Sequence, residues 1–191
     1  MFLSIVTTLY QSESTVLEFY TRISESAKSI LGDNFEIIFV NDGSEDRSYI
    51  LAKGLCEEDS KVSLIDLSKN FGHHRSLMVG LEQALGDLVF LIDSDLEEQP
   101  EDLIRFYDEL MQDSNIDSVF GVQSKRKGGF LENYLGSLFY KIYNFLADGH
   151  QIPENTAITR LMRKRYVKAL LLFQDKEIYF APLATLTGFN Q

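Results

Sequence analysis

Tryptophan is absent from the 191 residues, cysteine occurs once, and proline and histidine three times each. The lone Cys56 excludes an internal disulfide and a thiolate metal cage. Scarce proline, with 45% hydrophobic and 12% aromatic residues, excludes a disordered chain. It is a globular composition, and the length fits one domain with a real core, residues 1–191. Positive charge is short as well. Against 29 Asp and Glu stand 18 Lys and Arg, a net charge of −11. That argues against a general nucleic-acid binder, which needs cations to displace counterions from phosphates. No apolar run approaches the roughly 18–20 residues that span a bilayer. The opening MFLSIVTTLY lacks the basic region of a secretion signal. These absences predict a cytoplasmic chain. A continuation beyond Gln191 is expected, because TGFNQ follows a mixed apolar stretch with no polar tail.

The charge is unevenly distributed. Residues 1–124 hold 8 Lys and Arg against 24 Asp and Glu, whereas residues 125–168 hold 9 against 3. A basic segment on an acidic chain suggests a local anionic partner, such as a phosphate or an anionic membrane surface, or a solvated helix face.

The first two-thirds alternates short β-rich runs with helical periodicity. Strands are predicted over Phe2–Thr8, Phe35–Val40, Val62–Leu67, Leu88–Ile92 and Ser118–Val122. Helices are predicted from Val16 to Leu31, closed by Gly32, then to about Glu58, over His74–Leu85, and from Pro100 to about Gln112. Beyond the basic loop at Lys125–Gly129, aromatics at helical spacing (Tyr134, Phe139, Tyr140, Tyr143, Phe145) mark a further helix for a core or interface. A strand over Thr156–Met162 and a helix over Lys164–Phe173 follow. Successive βα units predict an α/β fold, a mostly parallel sheet with helices on both faces. Ligands of such sheets bind beyond the carboxyl ends of the strands. Two acidic turns, Asp42-Gly43 and Asp93-Ser94-Asp95, follow strand ends and so share that rim.

Two carboxylates one residue apart, just past a buried strand, make a compact hard-oxygen site. Mg²⁺ or Mn²⁺ prefers such ligands and is commonly shared with substrate phosphates. Asp42 lies in a tight turn where Gly43 allows close backbone approach to a ligand. Its carboxylate suits either a nucleobase N–H or the capping of the next helix. His73 and His74 fall at a helix start without a partnered acidic motif and read as surface or capping residues; His150 is isolated.

Five stretches, in order, resemble the family-2 inverting glycosyltransferases of GT-A (Rossmann-like) fold, most closely the polyprenyl-phosphate, dolichol-phosphate mannose synthase-like branch. They are SIVTTLYQSE, EIIFVNDGSEDRS, LSKNFGHHRSLMVGLEQALGDLVFLIDSDLEEQPE, GVQSKR and TRLMRKRYVKAL. The resemblance covers nearly the whole chain and implies a nucleotide-sugar-binding part over residues 1–122 and an acceptor-side part over 123–191. It assigns Asp42 to the base, with Tyr10, Glu13, Gly43, Asn70, Asp93 and Ser94 around the nucleotide. Asp95, Asp93 and Glu97 fall to the metal, Mg²⁺ or Mn²⁺. Arg126 and Arg160 fall to diphosphate or acceptor phosphate, which guanidinium pairs well with. The implied partners are a UDP- or GDP-linked sugar and a polyprenyl-phosphate or glycan acceptor. The implied place is the inner face of a membrane.

Departures from the pattern bear mostly on the acceptor. Tyr10-Gln11-Ser12-Glu13 lacks the usual Asn, Gln123 replaces a common Arg, and Thr156-Ala157-Ile158-Thr159 replaces an acidic-aromatic run. Absence of Trp excludes the Gln-x-x-Arg-Trp motif of processive polysaccharide synthases. Transfer to a sugar hydroxyl and a non-catalytic interaction module are the alternatives. A nucleotidyltransferase fits poorly, since Leu9–Ser14 has no glycine or basic residue.

Overall fold

The structure, a computed structural model, describes residues 1–122, 156–173 and 180–191. The basic loop, the aromatic segment and Arg126 lie outside the described residues. Six strands form one sheet: β1 (Leu3–Leu9), β2 (Phe35–Asn41), β3 (Val62–Asp66), β4 (Leu88–Leu91), β5 (Ser118–Val122) and β6 (Thr156–Arg163). The helices are α1 (Val16–Leu31), α2 (Ser48–Glu58), α3 (His73–Gln83), α4 (Asp102–Gln112), α5 (Lys164–Leu170) and α6 (Phe180–Leu186).

The sheet runs β3-β2-β1-β4-β6-β5. β1 is central and pairs in parallel with β2 and β4, as β2 does with β3. Its every residue is buried, which suits a strand covered on both faces. Alternate residues divide between two cores. Ile5, Ile37, Phe39 and Phe90 face α1, α2 and α4, where Phe19, Ile23, Leu55 and Leu103 meet them. Val6, Ile38, Val40 and Leu91 face the other way, against Leu77 and Leu81 of α3 and Tyr166 of α5.

One strand departs from the simple βα reading. β6 enters between β4 and β5, antiparallel to both, with Leu88 opposite Arg163 and Leu91 opposite Arg160. The crossover through α4 carries β5 one strand beyond β4, and β6 fills the space between them. Only β6 is reversed, so the sheet remains mostly parallel. Among the described residues, no helix is long and apolar enough to cross a membrane.

α3 lies unusually close to the sheet. A Cβ added at Gly80 would stand 2.5 Å from Val6 Cγ1 and 3.0 Å from Val40 Cγ2. Both neighbours are β-branched and stiff. Gly80→Ala therefore sets a helix-propensity gain of about 1 kcal/mol against overpacking of about 1–3 kcal/mol. The clash wins: chemical denaturation should show a net loss of up to about 2 kcal/mol, and a more stable variant would refute this close packing.

Candidate functional site

The carboxyl ends of β1, β2 and β4 deliver three loops to one rim. After β1, Tyr10 stands 50% exposed and Gln11 takes a positive φ of 53°. The Ser44 hydroxyl donates to Leu9 O at 3.2 Å and accepts from Gln11 N at 3.1 Å, tying this loop to the β2 turn. Glu13 accepts from Arg47 N at 3.0 Å, and its own N–H donates to Asp46. Its carboxylate thus helps fix the approach to α2.

Asp42 is 2% exposed. Its Oδ1 accepts from Phe71 N at 2.8 Å and its Oδ2 from Gly72 N at 3.1 Å. The expected choice between base ligand and cap of α2 thus meets a third arrangement, in which Asp42 holds the loop leading into α3. Gly43, at φ 65°, is needed for close approach, but what approaches is the backbone of Lys69 and Asn70. The side chain of Asn70 accepts from Gly72 N at 2.9 Å and steadies the same loop. Tyr10, Asn41, Gly43, Tyr49, Lys69 and Asn70 line a cavity of about 580 Å³ beside this turn, wide enough for a small ligand.

Past β4, Ser94 is buried and donates to Thr8 O at 2.8 Å, with Ser12 Oγ 3.3 Å away. Asp95 is exposed and accepts from Glu97 N at 2.9 Å, while Leu96 between them takes φ 63° and packs into the core. Gln11 and Leu96 are the non-glycine residues with positive φ among those described, and each turns a loop at this rim. Such backbone costs about 1–2 kcal/mol at each residue and concentrates at functional sites. Glu97 is exposed beside Asp95.

Asp93 is only 27% exposed at its side chain, and its Oδ1 is buried with no hydrogen-bond partner. Burial, then the neighbouring charges of Asp95 and Glu97, push its carboxyl up to about 6. His73 Nε2 stands 3.4 Å from that oxygen, within ion-pair reach but outside hydrogen-bond geometry, and His73 Nδ1 is 3.1 Å from Thr8 Oγ1. Burial lowers the His73 pKa, and the Asp42 and Asp95 carboxylates pull it back up. An orphaned buried carboxylate oxygen beside an exposed carboxylate fits a hard divalent cation. Among the described residues, no three His, Cys, Asp or Glu side chains gather into a complete metal cage. The donor set therefore suits an ion shared with ligand oxygens.

Arg160 departs from its expected place. It is 1% exposed, with its guanidinium 4.7 Å from the Phe180 ring centre and 5.8 Å from that of Phe120. It donates to Ile158 O and, at 3.5 Å, to Tyr166 Oη; burial lowers its pKa. So enclosed, it holds β6 to α5 and α6 and presents nothing to a phosphate arriving from solvent. Tyr10, Asp42, Gly43, Asn70, Asp93, Ser94, Asp95 and Glu97 do share the rim. His73, discounted from sequence, joins them. A signal for it existed, since a helix beginning at the strand-end rim brings its first side chain there.

The sequence profile of Glycosyl transferase family 2 matches residues 4–171. The chain is 48% identical, over its whole length, to a protein of Mycobacterium tuberculosis (strain CDC 1551 / Oshkosh) whose name goes no further than glycosyltransferase, and covers 55% of it. Over 96% of its length it is 30% identical to the undecaprenyl-phosphate 4-deoxy-4-formamido-L-arabinose transferase of Shewanella sediminis, covering 54% of that protein. The chain thus spans about half the length of the curated relatives it matches. Among solved structures, glucosyl-3-phosphoglycerate synthase from Mycobacterium tuberculosis with Mn²⁺, UDP and phosphoglyceric acid superposes with a TM-score of 0.69 at 19% identity, over 97% of this chain and 62% of that one. That likeness shows the GT-A fold.

The raised carboxyl of Asp93 has a consequence for stability. Folding holds a proton on Asp93 up to about pH 6, whereas an unfolded Asp loses it near pH 4. Between those values the folded state binds more protons, so stability falls as pH rises, and the penalty is complete above pH 6. Asp93→Asn removes it. In metal-free buffer the variant should be about 1–2 kcal/mol more stable than wild type at pH 7.5, after discounting for partial exposure. The gain should vanish near pH 4. Equal stability at pH 7.5 would show that Asp93 is not strained by burial.

Proposed function

This chain belongs to glycosyl transferase family 2, and from that premise we propose that it transfers a sugar from a UDP- or GDP-linked donor to a polyprenyl phosphate, with inversion at the anomeric carbon. The observation that carries the reading is the Asp93 and Asp95 pair on the strand-end rim, one half-buried with an unsatisfied oxygen, the other exposed. The cavity beside the Asp42 turn supports a place for the nucleoside, next to Tyr10 and Asn70. Two neighbours by name support the chemistry: one bound to Mn²⁺ and UDP, the other an undecaprenyl-phosphate sugar transferase.

In the proposed reaction a phosphate oxygen of the acceptor attacks the anomeric carbon from the face opposite the leaving group. The new C–O bond forms as the bond to the donor diphosphate breaks, and the electron pair leaves with the diphosphate. The attacking oxygen is already anionic, so no strong protein base is needed. Asp93 and Asp95, with Glu97 alongside, would hold Mg²⁺ or Mn²⁺. When bound, the ion neutralises charge on the departing diphosphate. The reading gives Arg126 the role of a cation for the diphosphate or acceptor phosphate, and residues 123–191 that of the acceptor side, working at a membrane surface.

Asp95→Asn should abolish metal-dependent turnover of the donor, by about 100-fold or more, without changing the thermal melt. Calorimetry with UDP and with GDP, each with Mn²⁺, should identify one clear binder. Unchanged turnover in the variant would sink the metal assignment, and failure of both nucleotides to bind would favour a non-catalytic module.

A further inference from the structure

We propose that His73 is a positioning residue for Asp93, fixing the orientation of that carboxylate and so setting how tightly the rim holds a divalent cation with a nucleoside diphosphate. The inference rests on the function proposed above.

Three contacts place the ring. Thr8 Oγ1 lies 3.1 Å from Nδ1, at the end of the central strand. The two carboxylate oxygens of Asp42 hold the amides of Phe71 and Gly72, the residues immediately before His73. Gly72, at φ 95°, turns the chain so that His73 opens α3 on the rim. On the far side of the ring, Nε2 stands 3.4 Å from Asp93 Oδ1, a buried oxygen with no hydrogen-bond partner. When the Thr8 hydroxyl donates to Nδ1, the ring proton sits on Nε2 and faces Asp93. Carboxylate ligands of metals are held in this manner by outer partners, whose loss typically weakens binding 10- to 100-fold. Hydrogen bonds at such sites are often long before ligands arrive and tighten afterwards. Thr8 serves both sides, since its carbonyl accepts from Ser94, next to Asp93.

The test uses two amides of different reach. Glutamine carries its nitrogen about where Nε2 lies, asparagine about where Nδ1 lies. Mn²⁺ affinity is measured by electron paramagnetic resonance on the full chain, with whichever of UDP and GDP binds wild type, and thermal melts report folding. His73→Ala and His73→Asn should weaken Mn²⁺ binding roughly 10- to 100-fold, while His73→Gln stays within about threefold of wild type. Wild-type affinity in His73→Asn, or a His73→Gln as weak as His73→Asn, overturns the proposal. The Gln and Asn pair decides the matter even where the alanine variant fails to fold. Asp93→Asn separates the two readings: if it too binds Mn²⁺ like wild type, the metal assignment falls and this inference with it. If only Asp93→Asn is weakened, the inference alone falls.

Discussion

The site depends on how Thr8 is held at the end of the central strand. Parallel pairing of β1 with β2 and with β4 fixes its height on the rim. From there its hydroxyl meets His73 at the start of α3, and its carbonyl takes the Ser94 hydroxyl from the loop after β4. One residue thus sets the spacing between two loops that are remote in sequence. The β2 turn is tied in separately, through Asp42 N to Leu9 O at 2.9 Å and through Ser44. Parallel strands make this possible, because successive crossovers return every loop to the same end of the sheet.

Against that frame, Asp93 is a deliberate weakness. The residues before it, Leu88 to Ile92, are buried and leave its carboxylate little water. The backbone at Leu96 adds strain, held in place because the Leu96 side chain packs into the core on the α1 face. The core thus offsets a site that is locally unfavourable. The same logic applies to Gly80, where the closeness of α3 to Val6 and Val40 fixes the height at which His73 emerges.

The strands and helices were legible because their patterns are strong: Val16, Phe19, Ile23 and Ala27 line one face of α1, and β1 is short and rich in apolar and β-branched residues. The rim position of Asp42 and Asp93 followed from the order of the elements alone. Three things did not. The reversal of β6 depends on where the chain returns after residues 123–155, which periodicity does not encode. The contact between His73 and Asp93 joins residues twenty apart through a crossover, so each looked unpartnered along the chain. Arg160 carried the charge of a phosphate ligand, but its enclosure by Phe120, Tyr166 and Phe180 is settled by packing between β6, α5 and α6. Charge in a motif says what a side chain can bind; only tertiary structure says what it can reach.

Net acidity poses the remaining physical question for the proposed donor, since a diphosphate is itself an anion. Asp95 and Glu97 lie close enough to act on Asp93, and Asp42 close enough to act on His73. Two like unit charges 4 Å apart repel by about 4 kcal/mol at an effective dielectric of 20. Several such terms oppose donor binding; among the described residues, Lys69, 5.2 Å from the Phe71 ring centre, supplies one positive charge beside the rim. A divalent cation held by Asp93 and Asp95 would add attractive terms that offset these, including the repulsion between Asp93 and Asp95 themselves. The charge that argues against a general nucleic-acid binder is therefore compatible with the proposed anionic donor when a cation binds with it. The strain at Asp93 in the metal-free protein comes first from burial and then from this same repulsion by Asp95 and Glu97.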